Sequence, residues 1–182
     1  MSILDKAIAA MTPDPSDEKM QEARGRARAA SAGSGWLALV LDHHVQIEQA
    51  FAKVKDAKSA TGRRSAQKWL GAVLTAHSIA EEAVIYPAMA LTTQEGHSGE
   101  AYSEQSAAKV QMAALDDLDP MSQDYLDKLE HIRGAVAHHV YEEEGDWFPE
   151  LRQQADSTLQ SRMTKRYREE FERYLGAEAK AA

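Results

Sequence analysis

Two segments of this 182-residue chain carry one arrangement twice. HSIAEEAVIYP (77–87) and HVYEEEGDWFP (139–149) both read His, three residues, Glu-Glu, three residues, aromatic, Pro. His77 and Glu81 in the first, and His139 and Glu143 in the second, stand one helical turn apart, so each pair shares a helix face. That face is otherwise apolar. Leu70, Leu74, His77, Glu81, Val84 and Ala88 follow steps of four and three, staying within about 40° of one line at 100° per residue. Tyr125, Leu129, Ile132, Val136, His139, Glu143 and Trp147 keep the same rhythm. A carboxylate moved into an apolar interior without compensation costs roughly several kcal/mol, or takes up a proton. Two of them facing one core call for a shared cation. Imidazole plus carboxylate in a helical core is the ligand set of non-haem iron or manganese, with zinc a weaker match.

A third contribution comes from Asp42-His43-His44, beside a face made by Trp36, Val40, Ile47, Phe51 and Val54. His43 lies about 40° to one side of that face and His44 about 60° to the other. If the following turn is centred near residue 60, His43 and His77 each stand seventeen residues from it and are level in an antiparallel pair. The expected metal set is therefore His43, His77, Glu81, His139 and Glu143. His44, His131 and His138 are expected beside the site or at the surface. Glu82, Glu142 and Glu144 read as solvated charge, and Tyr86 and Phe148 as packing for the bundle end.

These residues need helices to hold them. Pro13 and Pro15 separate a short opening helix from a polar one that begins after a candidate cap at Ser16, and AGSG (32–35) ends the second. A helix is expected over about 36–58, and another over 63–89 after Thr61-Gly62. A loop follows over 92–99, then a third bundle helix to about Asp117. Asp119-Pro120 signals the start of a fourth, running to about Asp146. The last helix, 158–175, carries Leu159, Met163, Tyr167, Phe171 and Leu175 as one stripe and is expected to stop at Gly176. The fold class expected is all-α: an antiparallel up-down four-helix bundle (36–150), with an N-terminal helical extension (1–35) and a C-terminal helix packed on the bundle (151–182).

Composition removes other chemistries. There is no cysteine, so thiolate nucleophiles, disulfides and cysteine-held zinc or iron–sulfur sites are excluded. A net charge of −8 argues against nucleic acid as a partner. The apolar-rich uncharged run Trp69 to Ala80 is too short for a membrane span. The opening residues lack a basic stretch followed by a long apolar core, so a cytoplasmic protein is expected.

LDHHVQIEQAF (41–51), HSIAEEAVIYP (77–87), EAYSEQ (100–105) and HHVYEEEGDWFP (138–149) together resemble the bacterial hemerythrin-like proteins with an HHE cation-binding domain. The resemblance implies two irons bridged by carboxylates and often by an oxygen atom. One iron would take His43 and His77, the other His139, with Glu81 and Glu143 matching the bridging carboxylates. The family's third-helix motif has a histidine where this chain has Gln105, whose neutral amide is a weaker donor to iron. His97, one turn beyond Ala101 on the same line, and Glu104 are candidate substitutes, and Tyr102 is the tyrosine placed to donate a proton. The second metal position is therefore expected to be weaker or differently ligated.

The function expected from this set is binding of a small diatomic ligand, O2 or NO, or a role in iron, oxidative or nitrosative stress response. Two alternatives stay open. One is a di-iron enzyme that decomposes peroxide or reduces NO, and the other is a metal-stabilised interaction module that uses the outer helices.

Overall fold

The computed structural model describes residues 15–92 and 95–181. Within them the chain is all-helical, with no strand among the described residues. The opening helix expected before Pro13 lies outside this range.

Helix α1 spans Asp17–Ser31 and is capped by Ser16, whose Oγ accepts the Lys19 N–H. Ala32, Gly33 and Gly35 take left-handed backbone conformations (φ 50°, 70° and 80°), which end α1 and turn the chain into α2, Gly35–Asp56. Three residues later the chain enters α3, Ala60–Ala80, capped by Ser59, so that Thr61-Gly62, expected as the turn, lie inside the helix. A connection this short folds α3 back along α2.

At Glu81 the helix widens into a π-turn, π1 (Glu81–Ile85), closed by Tyr86 N–H donating to the Glu81 carbonyl, before α4, Tyr86–Ala90. The second repeat does the same. Helix α6, Gln123–Glu142, passes into π2 (Glu143–Trp147), closed by Phe148 N–H donating to the Glu143 carbonyl, then α7, Phe148–Gln154. Pro87 and Pro149 account for both. Each lacks an N–H and crowds the carbonyl one turn back, and the wider turn just before it relieves the clash.

Helix α5, Glu95–Ala113, occupies most of the stretch expected as loop, with Gly96 and Gly99 inside it. The fourth-helix start signal is displaced as well. Asp119 forms a turn, accepting the Met121 N–H on its carboxylate, and Ser122 is the cap of α6. The final helix α8, Ser157–Ala181, runs through Gly176 instead of stopping there.

Helix α2 packs on α3 and α6, α5 on α4 and α6, and α8 lies across α2 and α3. Helix α1 packs against α2 and π2. Two apolar clusters result. One gathers Trp36, Leu37, Leu41, Ile85, Phe148 and Tyr167, and the other gathers Ile47, Phe51, Leu70, Leu115, Tyr125 and Ile132. Each such fully buried side chain contributes roughly 1.5–3 kcal/mol. Along α2 the first cluster ends at Leu41 and the second begins at Ile47. His44 stands between them, at the level where polar side chains interrupt the core.

Candidate metal centre

Four side chains from four elements meet at that level: His44 (α2), His77 (α3), Glu81 (π1) and Glu143 (π2). One donor atom from each lies within 4.8 Å of all the others. His44 Nε2 is 3.2 Å from Glu143 Oε2 and 3.8 Å from Glu81 Oε1, and His77 Nε2 is 3.1 Å from Glu81 Oε2. Both carboxylates and His44 are wholly buried. Yet His44 Nε2, Glu81 Oε1 and Glu143 Oε2 have no hydrogen-bond partner. Buried polar atoms left in this state are costly, and three of them facing one another without aligned hydrogen bonds fit a shared cation. The donor set, two imidazoles and two carboxylates, suits iron or manganese.

The far side of each imidazole is also held. Glu144 is completely buried and lies 2.8 Å from His44 Nδ1, while Arg24 of α1 donates from Nε to both Glu144 oxygens at 3.0 Å. Arg24 also grips Glu48 with its terminal nitrogens. His77 Nδ1 is 3.1 Å from the Tyr167 hydroxyl on α8. Such outer contacts fix the tautomer and leave each Nε2 lone pair for the metal.

A second group adjoins the first. The Tyr86 hydroxyl lies 2.8 Å from Glu143 Oε1, 3.1 Å from His139 Nε2 and 3.2 Å from Glu81 Oε2. Gln105 Nε2 donates to Tyr86 Oη and to Glu81 Oε2, both at 2.6 Å. Glu104 takes His139 Nδ1 at 2.7 Å. Glu143 thus turns Oε2 to the first group and Oε1 to the second, whereas Glu81 Oε2 faces His77, Tyr86 and Gln105 together and its Oε1 faces His44.

Charge in the centre is balanced internally. Burial pushes the Glu143 carboxyl up, but His139 and His44 hold it well below the usual carboxylate range. Burial and Glu143 push Glu81 up, and His77 and His44 more than offset them. Burial lowers His139, but Glu143, Glu104 and Glu81 outweigh it and raise the imidazole to about 10. His44 is likewise lifted well above its ordinary value against its burial, by Glu143, Glu144 and Glu81. Burial, then the charges of Glu143 and Glu81, raise the Tyr86 phenol far above its usual range. Two imidazolium ions therefore occupy the role that a metal takes when it binds and displaces their protons.

Of the residues expected from sequence, His77, Glu81, His139 and Glu143 come together, and His43 does not. Its Nδ1 meets the Tyr167 hydroxyl at 2.9 Å, its ring stacks 3.5 Å from Phe171, and burial with the neighbouring His77 and His44 lowers it to about 3. His44 takes the position instead. The sequence signal was the alternation of three and four in Leu37, Val40, His44, Ile47, Phe51 and Val54, the same rhythm as in the two repeats. Glu144, expected in solvent, is buried. Gln105 and Glu104 reach the second group, whereas His97 stacks on Trp147 and Tyr102 donates to the Glu82 carbonyl. Tyr86 was missed because, at 100° per residue, it falls about 140° round from Glu81, and the π-turn swings it back.

Similarity to known proteins agrees with this geometry. A family model described as the hemerythrin HHE cation binding domain matches residues 37–151. A protein of Nostoc sp. (strain PCC 7120 / SAG 25.82 / UTEX 2576) described as a DNA nickase is 32% identical over 108 residues, which cover 58% of this chain and 30% of that one. The match thus spans under a third of the relative's length. No solved structure matches the chain. With a family match over well more than half its length, the chain belongs to the hemerythrin HHE cation-binding family.

Proposed function

We propose that this chain is a non-haem iron protein whose centre holds up to two irons bridged by Glu81 and Glu143 and binds a small diatomic ligand, O2 or NO. His44 and His77 would hold the first iron, and His139 the second. In this reading α2, α3–α4, α5 and α6–α7 form an antiparallel up-down four-helix bundle over 36–150. Bound iron would supply an electron to the ligand, and the chain's own residues would admit it, orient it and exclude water.

One observation carries the reading: two wholly buried carboxylates whose inner oxygens, with His44 Nε2, lack hydrogen-bond partners. An apolar cavity of about 120 Å³ reaches the same place, lined by Leu74, Ala108, Met112 and Val136 and ending on His77, Gln105 and His139. Water takes about 30 Å³ per molecule in the liquid, so the space suits a few waters or one small molecule. The test is to load the protein anaerobically with ferrous iron and mix it with NO or O2. A change in the visible spectrum supports the reading, and an unchanged spectrum at full iron loading overturns it.

The printed description of the Nostoc relative raises a second reading, cation-dependent cleavage of DNA. A net charge of −8 opposes the approach of a phosphate backbone. Nicking of supercoiled plasmid by the iron-loaded protein, abolished in His77→Ala, would favour it.

A further inference from the structure

We propose that the Tyr86 phenolate oxygen is a ligand of the second iron, in the place where Gln105 leaves the centre without a third-helix imidazole; the proposal rests on the iron reading above. The case begins with a mismatch in hydrogen bonding. A phenol has one proton to give, yet the Tyr86 hydroxyl faces two carboxylate oxygens, Glu143 Oε1 at 2.8 Å and Glu81 Oε2 at 3.2 Å. It serves one acceptor at a time and leaves the other opposed to an oxygen lone pair. The ring is wholly buried, so water cannot make good the difference.

The spacing is that of donors around a metal. Tyr86 Oη, His139 Nε2 and Glu143 Oε1 form a triangle with edges of 3.1, 2.8 and 3.2 Å. Adjacent donors at right angles on bonds of about 2.1 Å lie about 3 Å apart. The contacts of 3.1 and 3.2 Å in the first group match it. Tyr86 completes a closed triangle of donors in the second position.

Gln105 then acquires a role that differs from ligation. It offers N–H groups to Tyr86 Oη and Glu81 Oε2, and these donors stabilise negative charge on both oxygens. A neutral hydroxyl can accept from Gln105 while donating to Glu143, and the same donor is stronger when the oxygen carries the charge of a phenolate. As the metal–oxygen bond forms, the phenol proton leaves to water. An anionic oxygen in place of a neutral imidazole favours the ferric state of that iron.

The test loads the full chain with ferrous iron anaerobically, oxidises it with ferricyanide, and records iron per chain, the visible spectrum and resonance Raman scattering. Two irons per chain are expected, with a phenolate-to-ferric absorption band whose Raman modes shift in protein made with ring-deuterated tyrosine. Tyr86→Phe should lose the band and fall to one iron per chain. Tyr102→Phe, whose ring is 5.1 Å from that of Tyr86, should keep both. If Tyr86→Phe fails to fold, the isotope shift in the wild type decides alone. Two irons without a tyrosinate mode, a band that survives in Tyr86→Phe, or a single iron in the wild type would each overturn the proposal. Wild-type protein that takes up no iron at all would instead sink the iron reading beneath it.

Discussion

Glu144 holds the Nδ1 of His44 at 2.8 Å, so the residue next in sequence to Glu143 orients an imidazole from a different helix. Both are wholly buried, and Arg24 of α1 closes the network from outside. Glu144→Gln keeps the shape and loses the charge that fixes the tautomer. Such changes beside a ligand cost roughly 10–100-fold in metal affinity. Competition with an iron chelator should show a loss in that range, with the helical circular dichroism unchanged.

Arg24→Met tests the same network by stability. Removing the guanidinium leaves the Glu144 carboxylate buried without its cation, and loss of a charged hydrogen-bonding partner costs about 1.5–3 kcal/mol. Urea unfolding of the metal-free protein should show a destabilisation of that order. A change within about 0.5 kcal/mol, typical of an ordinary surface substitution, would mean that α1 does not secure the site.

His44→Ala and His43→Ala should separate cleanly. His44→Ala removes a donor from the first position and should lose at least one iron per chain. His43→Ala removes a ring stacked between Tyr167 and Phe171 and should retain full iron content while losing some stability. Iron analysis of the two purified variants checks this, and the reverse order would restore the choice of His43 made from height along the bundle.

Much of the centre was legible in the chain because helical periodicity is a strong signal where a polar residue breaks an apolar stripe. The stripes turned His77, Glu81, His139 and Glu143 inward, and the structure buries all four. The choice between His43 and His44 failed for a definite reason. Height along α2 separates neighbouring residues by only about 1.5 Å, too little to choose between them, and the packing phase was already given by Leu37 and Val40. Tyr86 was illegible because a π-turn changes the angle per residue, and only Pro87 hinted at it. Glu144 was misread for a similar reason. It follows Glu143 inside π2, where it turns inward to meet Arg24, a contact spanning 120 residues that no local pattern encodes.

The metal-free protein should lose stability as pH rises. His139 is raised in the folded state to about 10, against about 6.5 when unfolded. A group raised on folding contributes stability that is complete below its unfolded value and is lost as pH climbs through the folded one. Between about pH 6.5 and about 10 the folded chain binds more protons than the unfolded chain, and the melting temperature should decline. With iron bound, His139 is already deprotonated and this decline should be absent. Melting curves across that range, with and without iron, make the comparison.

Access to the iron should run through the cavity between α3, α5 and α6. Its walls near the centre are small or flexible: Gly71, Leu74, Ala108 and Met112. Ala108→Phe places an aromatic ring in a space of about 120 Å³ while leaving every proposed donor residue in the sequence. Filling a gap of this kind costs about 1–3 kcal/mol if the packing is strained, so the protein should fold and take up iron as before. The rate of NO association measured by stopped flow should fall by roughly tenfold or more, an added barrier of about 1.4 kcal/mol, while the final spectrum of the complex is unchanged. A rate equal to that of the wild type would place the entry path elsewhere. A second cavity, beside Arg24 and Glu48, also borders His44, and an Ala137→Phe variant there is the matching control.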